Sequence, residues 1–243
     1  MPDDVSVQID RFVTFYLNAI DSTADLKDHQ HGLKLRKICI VAVLDAVSKS
    51  IFPTRDNRHR FTELVRRFGN WPEASRVSLP HLSALLSKVP DPEFEALRLS
   101  VNEALASWTP GTVLKLDRDL EYERARSMWP KDQALRTPVG SITLEHMQHL
   151  NLLYTYRNSL VHEFRDLSEN PLGDDRPYPR YVHVDPYDEE SGFPRWQLFY
   201  TSGFFHALGR TVLENVGEYL RTNKLDPMRH LSTGEYWLED LCR

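Results

Sequence analysis

Apolar residues recur at helical spacing along most of the chain. Within each segment they lie three or four positions apart, which places them on one face of an α-helix. Prolines, glycines and short polar clusters separate the segments and indicate where the helices end. The pattern predicts helices over residues 5–20, 24–51, 57–68, 78–89, 94–108, 141–164 and 203–220. The fold class is therefore expected to be mainly α.

Two parts of the chain depart from this period. Between residues 111 and 140, segment 113–117 fits a short strand and segment 119–128 fits a helix, and both assignments stay open. Residues 181–184 and 196–200 are aromatic and β-branched, which predicts a small β-hairpin with a wide turn. The expected architecture is one helical domain over residues 1–243, with a hairpin-containing insertion at about 167–200.

The composition narrows the class of protein. Of 243 residues, 41% are hydrophobic and 27% are charged, as in an ordinary globular domain. The two cysteines, Cys39 and Cys242, lack metal-ligand or redox spacing, so a reducing compartment is expected. The longest apolar run, residues 38–44, is too short to cross a bilayer, and the acidic N-terminus does not resemble a signal peptide. We therefore expect a cytoplasmic protein without a membrane partner.

Charge is distributed unevenly along the chain. The net charge of −5 argues against a protein that coats nucleic acid indiscriminately. Residues 34–67 nevertheless contain nine basic and only three acidic residues. This region is either a solvated helix surface or a patch that contacts phosphates. In the second case, Arg58 and Arg60 are candidate RNA-binding residues.

The clearest chemical feature is the RNSLVH segment at residues 157–162. Residues four apart share a helix face, so Asn158 and His162 lie together, and the long side chain of Arg157 can reach them. An imidazole can transfer protons near neutral pH, and a guanidinium can pair with phosphate oxygens. These groups suit RNA cleavage by the 2′-hydroxyl, with Arg165 steering the substrate backbone. Because cleavage needs both a base and an acid, a two-fold dimer would supply two histidines.

The RNSLVH segment, in a long helix near the end of a helical domain, resembles the signature of HEPN-domain ribonucleases. Arg157 matches the arginine of that signature, Asn158 the polar residue that follows it, and His162 the histidine. The resemblance implies a HEPN-type helical bundle, a homodimer with a composite active site, and RNA cleavage without metal. It also implies a toxin–antitoxin or antiviral role, in which an antitoxin or regulatory protein is a further partner.

Other interpretations stay open. The same helix could carry Asn158 and His162 as buried polar groups, with Arg157 paired to an acid. The chain could also be a non-catalytic HEPN-like module that binds RNA, a nucleotide or a protein partner, or a purely structural helical adaptor. The looser arginine–histidine spacing also occurs, interrupted by proline, at Arg76/His81 and Arg176/His183.

Two histidine pairs have spacings that metal sites use. They are His29/His31 and His146/His149. Neither pair has a cysteine or carboxylate cluster beside it to complete a ligand set, so exposed helix histidines fit the pattern better. We therefore expect no metal and no cofactor.

Two further groups have weaker signals for ligands. The acidic residues within 185–190 lack the glycine and spacing of a calcium loop, and a solvated turn fits them better. Trp196, Phe199 and Tyr200 could stack on bases, although aromatic residues of a half-buried hairpin commonly belong to the core.

Overall fold

The computed structural model describes residues 4–28, 31–130, 142–166, 175–184 and 195–229. Within these ranges the protein is mainly helical and has a small antiparallel sheet. The chain divides into two compact units: a first unit of Met1–Asn70 with Phe205–Arg243, and a second unit of Trp71–Phe204. That residues 1–243 form a single domain stays a prediction.

The α-helices of these ranges are α1 (Val5–Asp21), α2 (Gly32–Ile51), α3 (Asn57–Phe68), α4 (Leu79–Leu86), α5 (Glu95–Ala106), α6 (Tyr122–Ser127), α7 (His149–His162) and α8 (Ser202–Asn223). The strands are β1 (Val113–Lys115), β2 (Arg180–Val184) and β3 (Arg195–Phe199).

Helices α1, α2, α3 and most of α8 build the first unit. Side chains of Asp4 and Asp56 cap α1 and α3 by accepting a hydrogen bond from a backbone N–H of the first turn. A Cβ at Gly209 of α8 would lie only 2.8 Å from Ile20, so glycine permits the close approach there. The inward faces predicted for residues 57–68 and 203–220 are confirmed by their buried apolar residues: Phe61, Leu64, Val65, Phe68, Phe204, Phe205, Leu208, Val212, Val216 and Leu220.

Helix α2 begins later than the sequence pattern predicts. A helix over residues 24–51 was expected, but Ser22–Asp28 forms a 3-10 helix and α2 begins at Gly32. His31, immediately before α2, has a φ of 61°. This left-handed backbone cannot continue a right-handed helix, so the expected start is wrong. Residues 29 and 30 lie outside the described ranges.

The sheet of the second unit has three strands. Strand β2 pairs with both β1 and β3 in antiparallel orientation, and Tyr181 lies opposite Leu114 on one side and Leu198 on the other. The predicted hairpin is therefore confirmed as the β2–β3 pair. The segment after Gly111 supplies β1, the third strand, which the sequence pattern left open. The turn predicted between β2 and β3 lies outside the described residues.

The helix predicted over residues 141–164 is interrupted. Leu144–Met147 forms a 3-10 helix, capped reciprocally by Thr143 and His146. Gln148 then adopts an extended backbone and forms a β-bridge with Val77, so α7 begins at His149. The single long helix was wrong because this long-range pairing takes Gln148 out of helical geometry.

The carboxylate of Asp119 is the centre of a buried polar network in the second unit. Its Oδ1 accepts a hydrogen bond from the Leu79 backbone N–H at 2.8 Å. Its Oδ2 lies 2.6 Å from His149 Nε2 and 2.8 Å from the Tyr181 hydroxyl. All of these side chains are buried. One carboxylate therefore connects the start of α4, the start of α7 and strand β2.

The network continues from Tyr181 towards α4. The Tyr181 hydroxyl lies 2.7 Å from the Ser78 hydroxyl, which in turn lies 2.7 Å from His81 Nδ1. Burial raises the pKa of Tyr181 well above its usual value, and the charge of Asp119 raises it further. Burial, reinforced by nearby His149, lowers the pKa of His81 to about 4. Tyr181 and His81 are therefore both neutral near pH 7.

The first prediction tests this network. Tyr181→Phe keeps the ring but removes a hydroxyl that has two buried partners. We expect the free energy of unfolding to fall by about 1–3 kcal/mol, because Asp119 loses a donor in a site without water access. Tyr178→Phe is the matched control, since its partly exposed ring contacts Lys115, and should change stability by less than about 0.5 kcal/mol. Urea denaturation measures both; equal stability of Tyr181→Phe and the wild type would contradict the role of the network.

Candidate active site

Helix α7 holds the RNSLVH segment in its last turns. Leu150, Leu153 and Leu160 are buried on its inner side. Asn158 and His162 lie on the opposite side, where Asn158 is half-buried and His162 is exposed. Asn158 and His162 are therefore presented outward by a helix whose apolar face is fixed in the core of the second unit.

The Arg157 guanidinium connects the three candidate residues. Its Nη1 donates to Asn158 Oδ1 at 2.8 Å and lies 3.1 Å from His162 Nε2. An arginine can only donate, so Nε2 accepts and the proton of the neutral imidazole is on Nδ1. The structure thus brings Arg157, Asn158 and His162 together, although Arg157 and His162 are five positions apart and lie about 140° from each other around the helix.

The Arg157 side chain is largely enclosed. Only 6% of its surface is exposed, and its Cζ lies 5.8 Å from the ring centroid of Tyr154. This distance is within the range of a cation–π interaction. Tyr154 therefore stabilises the guanidinium at the place where it contacts the exposed imidazole.

The end of α7 is defined just beyond His162. The backbone N–H groups of Glu163 and Arg165 both donate to Ser159 O at 3.1 Å. Phe164, between them, has a φ of 51°. This is the left-handed position at which a helix usually ends in glycine, and a side chain there costs roughly 1 kcal/mol. The Tyr156 hydroxyl donates to Asp166 at 2.5 Å and fixes the chain after the turn.

The candidate RNA-binding arginines are divided between the two units. Arg165 lies three residues after His162, is exposed, and forms an ion pair with Glu163 at 2.7 Å. Arg58 and Arg60 belong to α3 in the first unit. Within the second unit, Arg165 therefore lies near the RNSLVH segment.

The His146/His149 pair does not consist of exposed helix histidines. His149 is fully buried and bonded to Asp119, and His146 caps a 3-10 helix, so that expectation is wrong for both. His31 precedes α2, while His29 is outside the described residues. In the part of the chain that the structure describes, no three potential ligands gather around a common metal position.

The remaining candidates fit structural roles. Phe199 and Tyr200 are buried in the core, and Trp196 packs against Trp108 and His183 with ring centroids 5.3 Å from each. The acidic residues within 185–190 lie outside the described ranges. The Arg76/His81 pair does not form a site of its own, because Arg76 donates to Asp117 O and Asp119 O, whereas His81 bonds Ser78.

Three residues that shape this site were not among the candidates predicted from the sequence. Asp119 positions the start of α7 from 30 residues away, Tyr154 contacts the guanidinium, and Phe164 forms the turn after His162. The first depends on tertiary folding. Tyr154 and Phe164 are aromatic residues close to the RNSLVH segment, one turn before Asn158 and two residues after His162. This closeness in the sequence was the signal by which they could have been found.

Comparisons of the chain with protein-family models, with curated proteins and with solved structures gave no match. Among the helices of the described ranges, none is both long enough and apolar enough to span a membrane.

Proposed function

We propose that the protein is a HEPN-type endoribonuclease that cleaves RNA without metal at a site formed by two copies of α7. The observation that supports this most strongly is the hydrogen bonding of Arg157 Nη1 to both Asn158 and His162. It brings a phosphate-binding group and a proton-transferring group together at an exposed helix end, within reach of a single phosphodiester.

The proposed reaction is an internal transfer at phosphorus. An imidazole nitrogen of one His162 takes the proton of the 2′-hydroxyl, and O2′ forms a bond to the adjacent phosphorus. The bond from phosphorus to O5′ breaks, and O5′ takes a proton from the imidazolium of the second copy. The products are a 2′,3′-cyclic phosphate and a free 5′-hydroxyl. Arg157 stabilises the negative charge that develops on the phosphorane oxygens.

Arg157 also connects substrate binding to proton transfer. In the free protein, His162 Nε2 accepts from Arg157 and cannot accept a substrate proton at the same time. A phosphate oxygen is a stronger, charged acceptor for the same guanidinium. Phosphate binding therefore draws Arg157 Nη1 towards the substrate and releases Nε2 to act as a base, while Asn158 keeps the guanidinium in register.

A non-catalytic module that binds RNA or a protein through this helix end is the second candidate. The enclosure of Arg157, with 6% of its surface exposed, favours it because only part of the guanidinium meets solvent. The two candidates differ in whether RNA is cut, so the variants below are measured for cleavage and for stability on the same preparations.

The second prediction separates catalysis from folding. His162→Ala removes an exposed side chain, so stability should change by less than about 1 kcal/mol. The rate at which this variant cleaves total RNA should fall by about 10²–10⁴-fold, the usual effect of removing a general acid or base. Arg157→Lys keeps the positive charge but loses the planar guanidinium, so cleavage by this variant should also be impaired. His59→Ala, an exposed histidine of α3 bonded to Asp56, is the matched control.

Thermal melts and gel assays of cleavage distinguish the outcomes. A His162→Ala protein that melts like the wild type but does not cleave supports catalysis. Early melting of this variant, with no cleavage of any RNA by the wild type, would refute the enzyme. If His59→Ala lost as much cleavage activity as His162→Ala, the effect would not be specific to the RNSLVH segment.

The third prediction concerns metal. Proton transfer by His162 and charge stabilisation by Arg157 need no cation, so cleavage should continue in excess EDTA. The product should carry a 2′,3′-cyclic phosphate, which mass spectrometry identifies. If EDTA abolished cleavage and magnesium or manganese restored it, the acid–base mechanism would be wrong.

The fourth prediction concerns assembly. A two-fold site requires that the same surface of α7 faces itself across an isologous interface. Light scattering over micromolar concentrations should give the mass of a dimer. Mixing the wild type with an excess of His162→Ala should reduce activity more than dilution does, because mixed dimers retain only one histidine. A protein that cleaves RNA as a strict monomer would exclude the composite site.

A further inference from the structure

The chain of hydrogen bonds from His81 through Ser78 and Tyr181 to Asp119 can hold its protons in two orders. The Tyr181 hydroxyl lies 2.8 Å from Asp119 Oδ2 and 2.7 Å from Ser78 Oγ, and its single proton can go to only one of them. An ionised carboxylate is the stronger acceptor, so Tyr181 donates to Asp119. The Tyr181 oxygen then accepts from the Ser78 hydroxyl, and Ser78 Oγ accepts from His81 Nδ1 at 2.7 Å. Neutral His81 therefore carries its proton on Nδ1, and a further proton can enter only at Nε2.

One added proton reverses this order. When His81 takes up a proton at Nε2, its Nδ1 proton can pass to Ser78. The proton of the Ser78 hydroxyl then passes to Tyr181, and that of Tyr181 passes to Asp119. Asp119 becomes a neutral acid that donates to Tyr181, and His81 is neutral again with its proton on Nε2. Each hydrogen bond of the chain is kept in the opposite direction, and the charge of the carboxylate is gone.

Burial determines where the proton enters and where it stays. Of the four residues of the chain, only His81 keeps part of its surface in contact with solvent, so protons enter there. Burial, reinforced by the charge of nearby His149, lowers the pKa of His81 to about 4. An imidazolium at this position is therefore unfavourable. Passing the proton on to Asp119 removes the imidazolium and the carboxylate at once.

Neighbouring elements bring further charged and titratable groups close to the chain. They are His149 of α7, Tyr200 after β3, Arg76 with Glu121, and Glu95 with Arg98 of α5. The two glutamates pair with the two arginines, so the groups whose charge acts on His81 are Asp119 and His149. His149 Nε2 lies 2.6 Å from Asp119 Oδ2 and donates to it in both orders.

We propose that the chain from His81 to Asp119 is a proton relay, and that its reversal in acid loosens the starts of α4 and α7. A neutral carboxyl accepts more weakly than a carboxylate from the Leu79 backbone N–H and from His149. These two donors belong to the first turns of α4 and α7. The relay thus makes the position of α7 sensitive to pH, whether or not the protein cleaves RNA.

NMR of the full-length protein tests the relay from about pH 7 to about pH 4, with ¹⁵N in the histidine rings and ¹³C in the aspartate carboxyls. At neutral pH, Nδ1 of His81 should be protonated and Nε2 should not. In acid the two nitrogens should exchange roles, and Asp119 should become protonated over the same pH range, because one proton causes both changes. Protection of the Leu79 amide against hydrogen exchange should fall by about 5–10-fold, the difference between a charged and a neutral hydrogen bond.

Ser78→Ala interrupts the relay, because alanine can neither accept from His81 nor donate to Tyr181. In this variant, acid should convert His81 to an imidazolium with both nitrogens protonated, and Asp119 should no longer change together with it. Ser87→Ala is the matched control, since its exposed hydroxyl donates to Ala84 O at the other end of α4. Its spectra should follow the wild type.

The wild type can overturn the proposal by itself, even if Ser78→Ala does not fold. A His81 proton on Nε2 at neutral pH, an imidazolium in acid, or separate pH ranges for His81 and Asp119 would each contradict the relay. Wild-type behaviour of Ser78→Ala would contradict it as well. If the chain reversed while the protection of the Leu79 amide stayed constant, the inferred effect on the helix starts would be wrong.

Discussion

The second unit depends on how the buried carboxylate of Asp119 is satisfied. A charge removed from water is costly unless hydrogen-bond donors replace the lost solvent. Here the donors come from the Leu79 backbone, His149 and Tyr181, which lie far apart in the chain. None of them compensates the charge alone, so the start of α4, the start of α7 and strand β2 must assemble together. The network thereby favours one arrangement of these elements over others.

The hydrogen bond between Asp119 and His149 also helps to fix the RNSLVH segment, which lies at the other end of α7. His149 holds the first turn of α7, and the helix of 14 residues ends at His162. At 1.5 Å per residue, the segment begins about 12 Å along a rigid element from the anchored end. The left-handed turn at Phe164 ends the helix immediately afterwards. A catalytic group benefits from such support, because small displacements of a proton-transferring side chain are costly to the rate.

Local sequence patterns predicted those features of the structure that depend on contacts between residues close together in the chain. Helix 57–68 and the inward face of the last helix follow from apolar spacing, and the contact of Arg157 with Asn158 follows from side-chain length and adjacency. The starts of α2 and α7 could not be predicted in this way. At α7, Gln148 is held extended by Val77, 71 positions earlier in the chain, and His149 is held by Asp119. Neither contact leaves a periodic signal near residue 148.

The hydrogen bond from Arg157 to His162 favours the interpretation of this helix end as an active site over a purely structural one. A structural pair gains most when both partners are buried, because an exposed partner is compensated by water as readily as by protein. Here the arginine is enclosed and the histidine is exposed. The contact therefore contributes little stability through the imidazole, yet it fixes the orientation of the ring and its tautomer. Orientation and tautomer are what a proton-transferring group requires, and a ligand that draws the guanidinium away changes both at once.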